Sequence, residues 1–294
     1  MITCIFVKIN TCNAFNQYCL LNNSDDSIDL MPEIKDHPTI DMAHGGTPVE
    51  QRGDEFIKWL RTSVKIKLVN HQGKEVNGSG TIVYFDPETN YAYVQSCGHL
   101  WSGNMNGQES KQKKVTCNVL VWYHNKQKLK DPKIYDGEVL YYSNDKGYDC
   151  SLIRFQSDWN CDYIPIYPNK FDYKIGDYYY STGSDYGSEA ACYNVKYLMI
   201  KDTNIITTEN SPRPGRSGGG LLTDNYFIGV CWGTTNKQGL GNGLFTPISV
   251  IKQLNTKNGY SWLNEKGIRW ARFLPIVNND EKEESFEIPI PDEN

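Results

Sequence analysis

From Ser63 to Ile248 the chain is a succession of short runs of β-branched and aromatic residues, each closed by Gly, Asn, Asp or Pro. This pattern constrains the fold more than any other feature. In SVKIKLV (63–69), Val64, Ile66 and Leu68 alternate with polar residues, which puts the three on one face of a strand. TIVYF and YAYVQS flank DPETN (86–90), a turn-forming segment, and together read as a hairpin. Further runs follow at 115–124, 137–142, 150–155, 177–183, 190–200, 226–233 and 241–248. Helical patterning is confined to a turn at 54–60, a short piece at 98–101, and the stretches 247–254 and 261–274. Strands at this spacing argue against βαβ units and for an all-β sandwich or a pair of barrels. The 20 Tyr and 25 Gly suit such half-buried sheets and tight turns.

Length and charge narrow the function. With 294 residues the chain can bury a sizeable core, as one large domain or two smaller ones. The 30 Lys and Arg against 35 Asp and Glu give a net charge of −5, without the basic excess that neutralises phosphates, so nucleic acid is not expected as a partner. No run approaches the roughly 20 apolar residues of a membrane-spanning helix, and no membrane partner is expected. The nine cysteines are odd in number, scattered and free of C-x-x-C pairs, which reads as reduced thiols. The five histidines (His37, His44, His71, His99, His124) do not fall at ligand spacing beside Cys or carboxylates. No metal or other cofactor is therefore expected. Lys8, Asn10, Asn13, Asn16 and Gln17 interrupt the apolar start of the chain where a signal peptide needs an apolar core. An intracellular setting is the expectation, with a virion-associated one as the alternative.

Three local patterns carry chemistry. In Ser211-Pro-Arg-Pro-Gly-Arg-Ser217-Gly-Gly-Gly220 a serine sits among glycines at the mouth of an apolar strand. Such a loop can turn neighbouring N–H groups onto one oxygen, although a serine in an ordinary turn has the same appearance. In YVQSCGHLW (93–101) a strand ends at His99 behind small residues, which leaves the ring accessible. Histidine, with an ordinary pKa of about 6.5, suits proton transfer near neutrality; a purely structural histidine is the competing explanation. In YDCSLIRF (148–155) Asp149 opens an apolar strand, where a buried acid can hold a histidine tautomer. Asp145, in the polar SNDKG turn, is the lesser candidate.

Taken in order, these segments resemble those of the trypsin-like (chymotrypsin-fold) serine peptidases, in particular intracellular and bacterial HtrA-like members without a PDZ domain. Asp149 follows His99 by 50 residues and Ser217 follows Asp149 by 68. GSGTIV (78–83), KIGDYYYSTGS (174–184), VCWG (230–233) and GNGLFTPI (241–248) add secondary likeness, so the resemblance covers about 55–255. It implies two six-stranded antiparallel β-barrels with a C-terminal helix. The implied division is an arm at 1–53, barrels at 54–163 and 164–258, and a helix with an acidic tail at 259–294.

The activity implied is that of a serine endopeptidase acting on protein or peptide substrates through an acyl-enzyme. Ser217 would be the nucleophile, His99 the base and Asp149 its orienting acid, with the Gly215 and Ser217 amides as oxyanion hole. Ser211, Trp232, Gly233 and Gly243 would line a substrate pocket that has no carboxylate, suited to a medium or large apolar side chain. The alternative is a structural or binding protein that keeps the fold with little activity. The arm at 1–53 could act as an inhibitory or docking segment, or as none.

Departures from the family pattern carry expectations too. Arg216 replaces an Asp that pairs with a freed N-terminus in secreted members, so activation through that pair is not expected. Gly220 replaces a proline and should loosen the loop. Cys231 replaces a serine that bonds the acid, which should leave Asp149 less firmly held because a thiol is a weak donor. Leu100 replaces a disulfide cysteine.

Overall fold

The structure, a computed structural model, describes residues 59–69, 75–102, 116–124, 127–145, 147–201, 204–209, 211–223, 225–235 and 241–266. The expectations about the arm at 1–53 and the acidic tail lie outside these residues. The strands β1 (Ser63–Val69), β2 (Glu75–Asp86), β3 (Tyr91–Ser96), β4 (Thr116–His124), β5 (Gln127–Ser143) and β6 (Cys150–Gln156) close into one antiparallel barrel in the order β1-β2-β3-β6-β5-β4. A second barrel, ordered β10-β11-β12-β9-β8-β7, is built from β7 (Tyr178–Ser184), β8 (Ala190–Lys201), β9 (Ile205–Thr208), β10 (Gly220–Leu222), β11 (Phe227–Thr234) and β12 (Gly243–Pro247). The expected pair of six-stranded barrels is therefore what the chain forms. Helical segments accompany them: residues 59–62 before β1, α1 (His99–Ser102) after β3, and α2 (Ile248–Lys257) after β12.

Local chemistry explains the hairpins and their register. Val64, Ile66 and Leu68 face the core with Lys65 and Lys67 between them, and β1 closes the first barrel by pairing Val64 with Val121 and Ile66 with Val119. The β2–β3 turn is set by Asp86, whose carboxylate accepts from Glu88 N and Thr89 Oγ1, and by Asn90 in the left-handed region (φ 58°). Phe155, Ile153, Val94 and Ile82 fill the first barrel, and Phe245, Ile206, Leu221 and Ile228 the second.

The helix α2 belongs to both halves of the molecule. Ile248, Val250, Ile251 and Leu254 are buried, and the fully buried Asn255 accepts a hydrogen bond from Tyr141 of β5 at 2.5 Å. Tyr141 in turn accepts from Gln95 Nε2 (3.3 Å), which also donates to Ser151 O. A polar chain thus runs from α2 through β5 to β3, the strand that leads into α1.

Three elements differ from expectation. β5 starts at Gln127, well before 137, because its first half is a polar ribbon with Ile134 exposed and offers no apolar signal. β9, with only four residues, carried too short a pattern to read. Where a helix is expected from 261, the chain opens with a 3-10 turn, Ser261–Glu265, following Gly259 in the left-handed region (φ 85°); the expected helix beyond 266 lies outside the described residues. No helix among the described residues is long and apolar enough to cross a membrane.

Phe155 is 1% exposed and stacks on Tyr135 with ring centroids 4.9 Å apart. Phe155→Ala should therefore destabilise the protein by about 3–5 kcal/mol in urea unfolding, with the far-ultraviolet signature of the barrels retained.

Candidate active site

Two residues at the edge of the first barrel meet directly. β3 ends at Ser96, and Cys97-Gly98 turn the chain into α1, whose first residue is His99. Gly98 lies so close to β5 and β6 that a Cβ there would collide with Ser143 O, so this approach requires glycine. Asp149, 4% exposed, sits one residue before β6. Its Oδ1 accepts from the backbone N–H of Gly98 (2.5 Å) and of His99 (3.0 Å), and its Oδ2 lies 2.7 Å from His99 Nδ1. Its backbone carbonyl accepts from Thr246 Oγ1 in β12 (2.7 Å), tying the acid to the second barrel. A buried carboxylate needs such donors, and here they also set the ring. With Nδ1–H donating to Oδ2, Nε2 is the unprotonated ring nitrogen, and it lies 3.6 Å from Cys97 Sγ. Asp145 lies exposed in its turn.

Ser217 comes from the second barrel on a loop fastened to the first. Ser79 of β2 is the fastener: its N–H donates to Ser217 O (2.7 Å), its hydroxyl donates to Gly215 O (2.8 Å), and that hydroxyl accepts from Ser184 N (2.7 Å). Gly218 has φ +90°, and a Cβ there would strike Ser79 O and Ser96 Oγ, so the loop can lie against β2 and β3 only with glycine at this position. A Cβ at Gly218 would lie 3.1 Å from Cys97 N, and one at Gly78 would meet both Ser217 O and Leu100. The serine loop is thus pressed against the segment 97–100 that carries His99. Within the loop, Arg216 N–H donates to Arg213 O, Gly218 N–H to Cys231 O and Gly219 N–H to Arg216 O. The Gly215 and Ser217 amides carry no such bond among the described residues.

The charge inside this loop has its own partner. Arg216, 2% exposed, forms a bidentate pair with Asp185 (Nη2–Oδ2 2.6 Å, Nε–Oδ1 2.9 Å), donates to Ser181 O (3.0 Å) and lies 4.5 Å over the Tyr193 ring. Burial opposes the guanidinium charge, but the Asp185 carboxylate outweighs it and raises the Arg216 pKa further above its ordinary value. The sequence reading identified the loss of an N-terminal ion pair and missed this internal replacement. The signal was present, since an arginine amid glycines in a buried loop requires a carboxylate somewhere.

Two further expectations change. Asp149 is firmly held by backbone donors, while Cys231 is a fully buried thiol pushed up to about 12 by burial. Gly220 does not loosen the loop: it is buried at the start of β10 and pairs with Val230.

The expected pocket residues also come together. Ser211 Oγ donates to Thr234 Oγ1 (2.7 Å), Thr234 pairs with Gly243, and Gly233 pairs with Leu244 across a bulge at Trp232. A side chain at Gly233 would meet nothing within 4 Å, so open space adjoins this edge. The reading that no histidine lies at ligand spacing from cysteine or carboxylate is corrected: Cys97 Sγ is 3.6 Å from His99 Nε2, and ligand atoms of Cys97, His99 and Asp149 fall within 4.8 Å of one another. The six described cysteines are buried and none is in a disulfide.

No protein-family model and no curated protein sequence matches the chain. Solved structures do match. One is the serine endoprotease from Yersinia pestis, with a TM-score of 0.52 and 18% identity, over 73% of this chain and 66% of that one. This chain therefore spans just under two thirds of that protein's length. At this identity the likeness concerns the fold, the two-barrel architecture of trypsin-like peptidases.

Asp185→Ala leaves a buried guanidinium without its counter-charge and should destabilise the protein by about 3–5 kcal/mol in urea unfolding. The double variant Asp185→Leu/Arg216→Met, which removes both charges, should lose less than Asp185→Ala alone.

Proposed function

We propose that the protein is a serine endopeptidase that cleaves peptide bonds through Ser217, His99 and Asp149. The observation that carries this reading is the 2.7 Å contact between a buried Asp149 Oδ2 and His99 Nδ1, with the serine loop fastened against the same segment. The two-barrel fold is compatible with it.

In this mechanism Asp149 keeps the proton on Nδ1 and stabilises the imidazolium that forms when Nε2 takes the Ser217 hydroxyl proton. Oγ attacks the scissile carbonyl carbon, and the carbonyl oxygen becomes an oxyanion received by the Gly215 and Ser217 N–H groups. Each such donor contributes about 3–4 kcal/mol of transition-state stabilisation. The imidazolium then protonates the leaving amine as the C–N bond breaks, and an acyl-enzyme remains on Ser217. Water, deprotonated by Nε2, reverses the sequence and frees the acid. The Arg216–Asp185 pair contributes by holding the loop between the two donors in one conformation.

The side chain on the acyl side of the scissile bond would enter between Gly233 and Gly243 with Ser211 at the base. Ser211 is neutral and already donates to Thr234, so nothing there favours a cationic group. Medium or large apolar residues fit best.

A peptide library should be cut after large apolar residues in preference to Lys, Arg, Asp or Glu. Asp149→Asn should lower kcat by about 10⁴-fold with little change in KM, since the wrong tautomer is then favoured. Ser217→Ala should lower kcat at least as far. Turnover by a folded Ser217→Ala protein at the parent rate would refute the reading.

A further inference from the structure

Cys97 has no part in the mechanism above, yet its position beside the proposed base is specific. It lies two residues before His99, fully buried, with Sγ 3.6 Å from Nε2, the nitrogen facing away from Asp149. Two ligands of a tetrahedral zinc, with Zn–S about 2.3 Å and Zn–N about 2.05 Å, stand about 3.6 Å from each other. The observed separation is that of an S–H···N hydrogen bond, and it equally accommodates a cation between the two atoms without movement of either chain segment. Behind the ring, Asp149 Oδ2 holds Nδ1–H at 2.7 Å. That is the carboxylate–histidine arrangement that fixes the tautomer of a metal-binding imidazole and raises its basicity.

We propose that Cys97 Sγ and His99 Nε2 form a binding site for zinc or a similar borderline divalent cation, and that an ion held there switches off the peptidase. The inference rests on the reading of His99 as the base for its functional consequence; the site itself rests on the geometry alone. Binding replaces the Cys97 S–H bond with an S–metal bond and releases one proton to solvent, while Nδ1 keeps its proton on Asp149. The Nε2 lone pair, once given to the metal, can no longer accept the Ser217 proton. His99 and Ser217 are both partly exposed, which leaves the ion a route from solvent, and water or the Ser217 hydroxyl would complete its coordination. Soft and borderline cations fit a thiolate–imidazole pair, whereas magnesium and calcium, which need oxygen donors, do not.

The test uses cobalt(II) as a spectroscopic probe on the full chain, followed by zinc inhibition. One equivalent of cobalt should produce a thiolate-to-metal charge-transfer band in the near ultraviolet that is absent from both Cys97→Ser and His99→Ala. Loss in both variants is required because other cysteines are present. Thermal unfolding of each variant checks its fold, and Cys97→Ala replaces Cys97→Ser if needed. Zinc should inhibit peptide cleavage reversibly, with chelator restoring the rate. Magnesium at the same concentration should have no effect. In Cys97→Ser the concentration for half-inhibition, measured against that variant's own uninhibited rate, should rise at least tenfold. Absence of the band from the parent protein, or its survival in either folded variant, would overturn the site. The band with no zinc inhibition of an active enzyme would overturn the switch. A protein with the band and no peptidase activity would instead count against the proposed function while leaving the site standing.

Discussion

Two barrels that close separately share no sheet, so a cleft between them depends on whatever fixes one edge against the other. Here that constraint is concentrated at Ser79. Within one residue of β2, the N–H, the hydroxyl and the carbonyl bind Ser217 O, Gly215 O with Ser184 N, and Ser96 Oγ, respectively. Every group at this buried node is matched, and removing the hydroxyl would strand a carbonyl and an amide away from water. The node places the serine loop against 97–100, and the Thr246 bond to Asp149 O repeats the link on the acid's side. The relation of His99, Asp149 and Ser217 is thus a property of the interface between the barrels.

Buried charge is handled by two different means around this interface. Asp149 is held by N–H donors and one imidazole, which leaves its charge to act on the ring. Arg216 is instead neutralised by a dedicated carboxylate, Asp185, from the turn after β7. Two charges taken out of water together gain little net stability. What such a pair can supply is a single loop conformation, and its loop is the one whose amides the proposed mechanism needs. The Cys97 thiol and the His99 ring, 3.6 Å apart, lie against the same loop.

Much of this was legible in the chain. Alternation in 63–69 and the hairpin across 86–90 are local signals, and the β2–β3 register agrees with them. His99, Asp149 and Ser217 stood out because each interrupts an apolar strand end with a reactive side chain, and the first two meet as expected. What escaped notice depends on contacts between distant segments. Asp185 lies 31 residues before Arg216 in an unremarkable DYG turn, and nothing local marks it as a counter-ion. Ser79 showed only as part of a G-S-G string, because its function is created by loops more than 100 residues away. The first half of β5 escaped because an exposed ribbon is held by backbone pairing to β4 and needs no hydrophobic pattern.

The most direct test of the central claim is the structure of a fluorophosphonate adduct. The account predicts a covalent bond from Ser217 Oγ to phosphorus, with one phosphoryl oxygen about 2.7–3.1 Å from both the Gly215 and Ser217 nitrogens and His99 still bound to Asp149. A folded protein that forms no adduct, or one whose phosphoryl oxygen turns away from both amides, would contradict it.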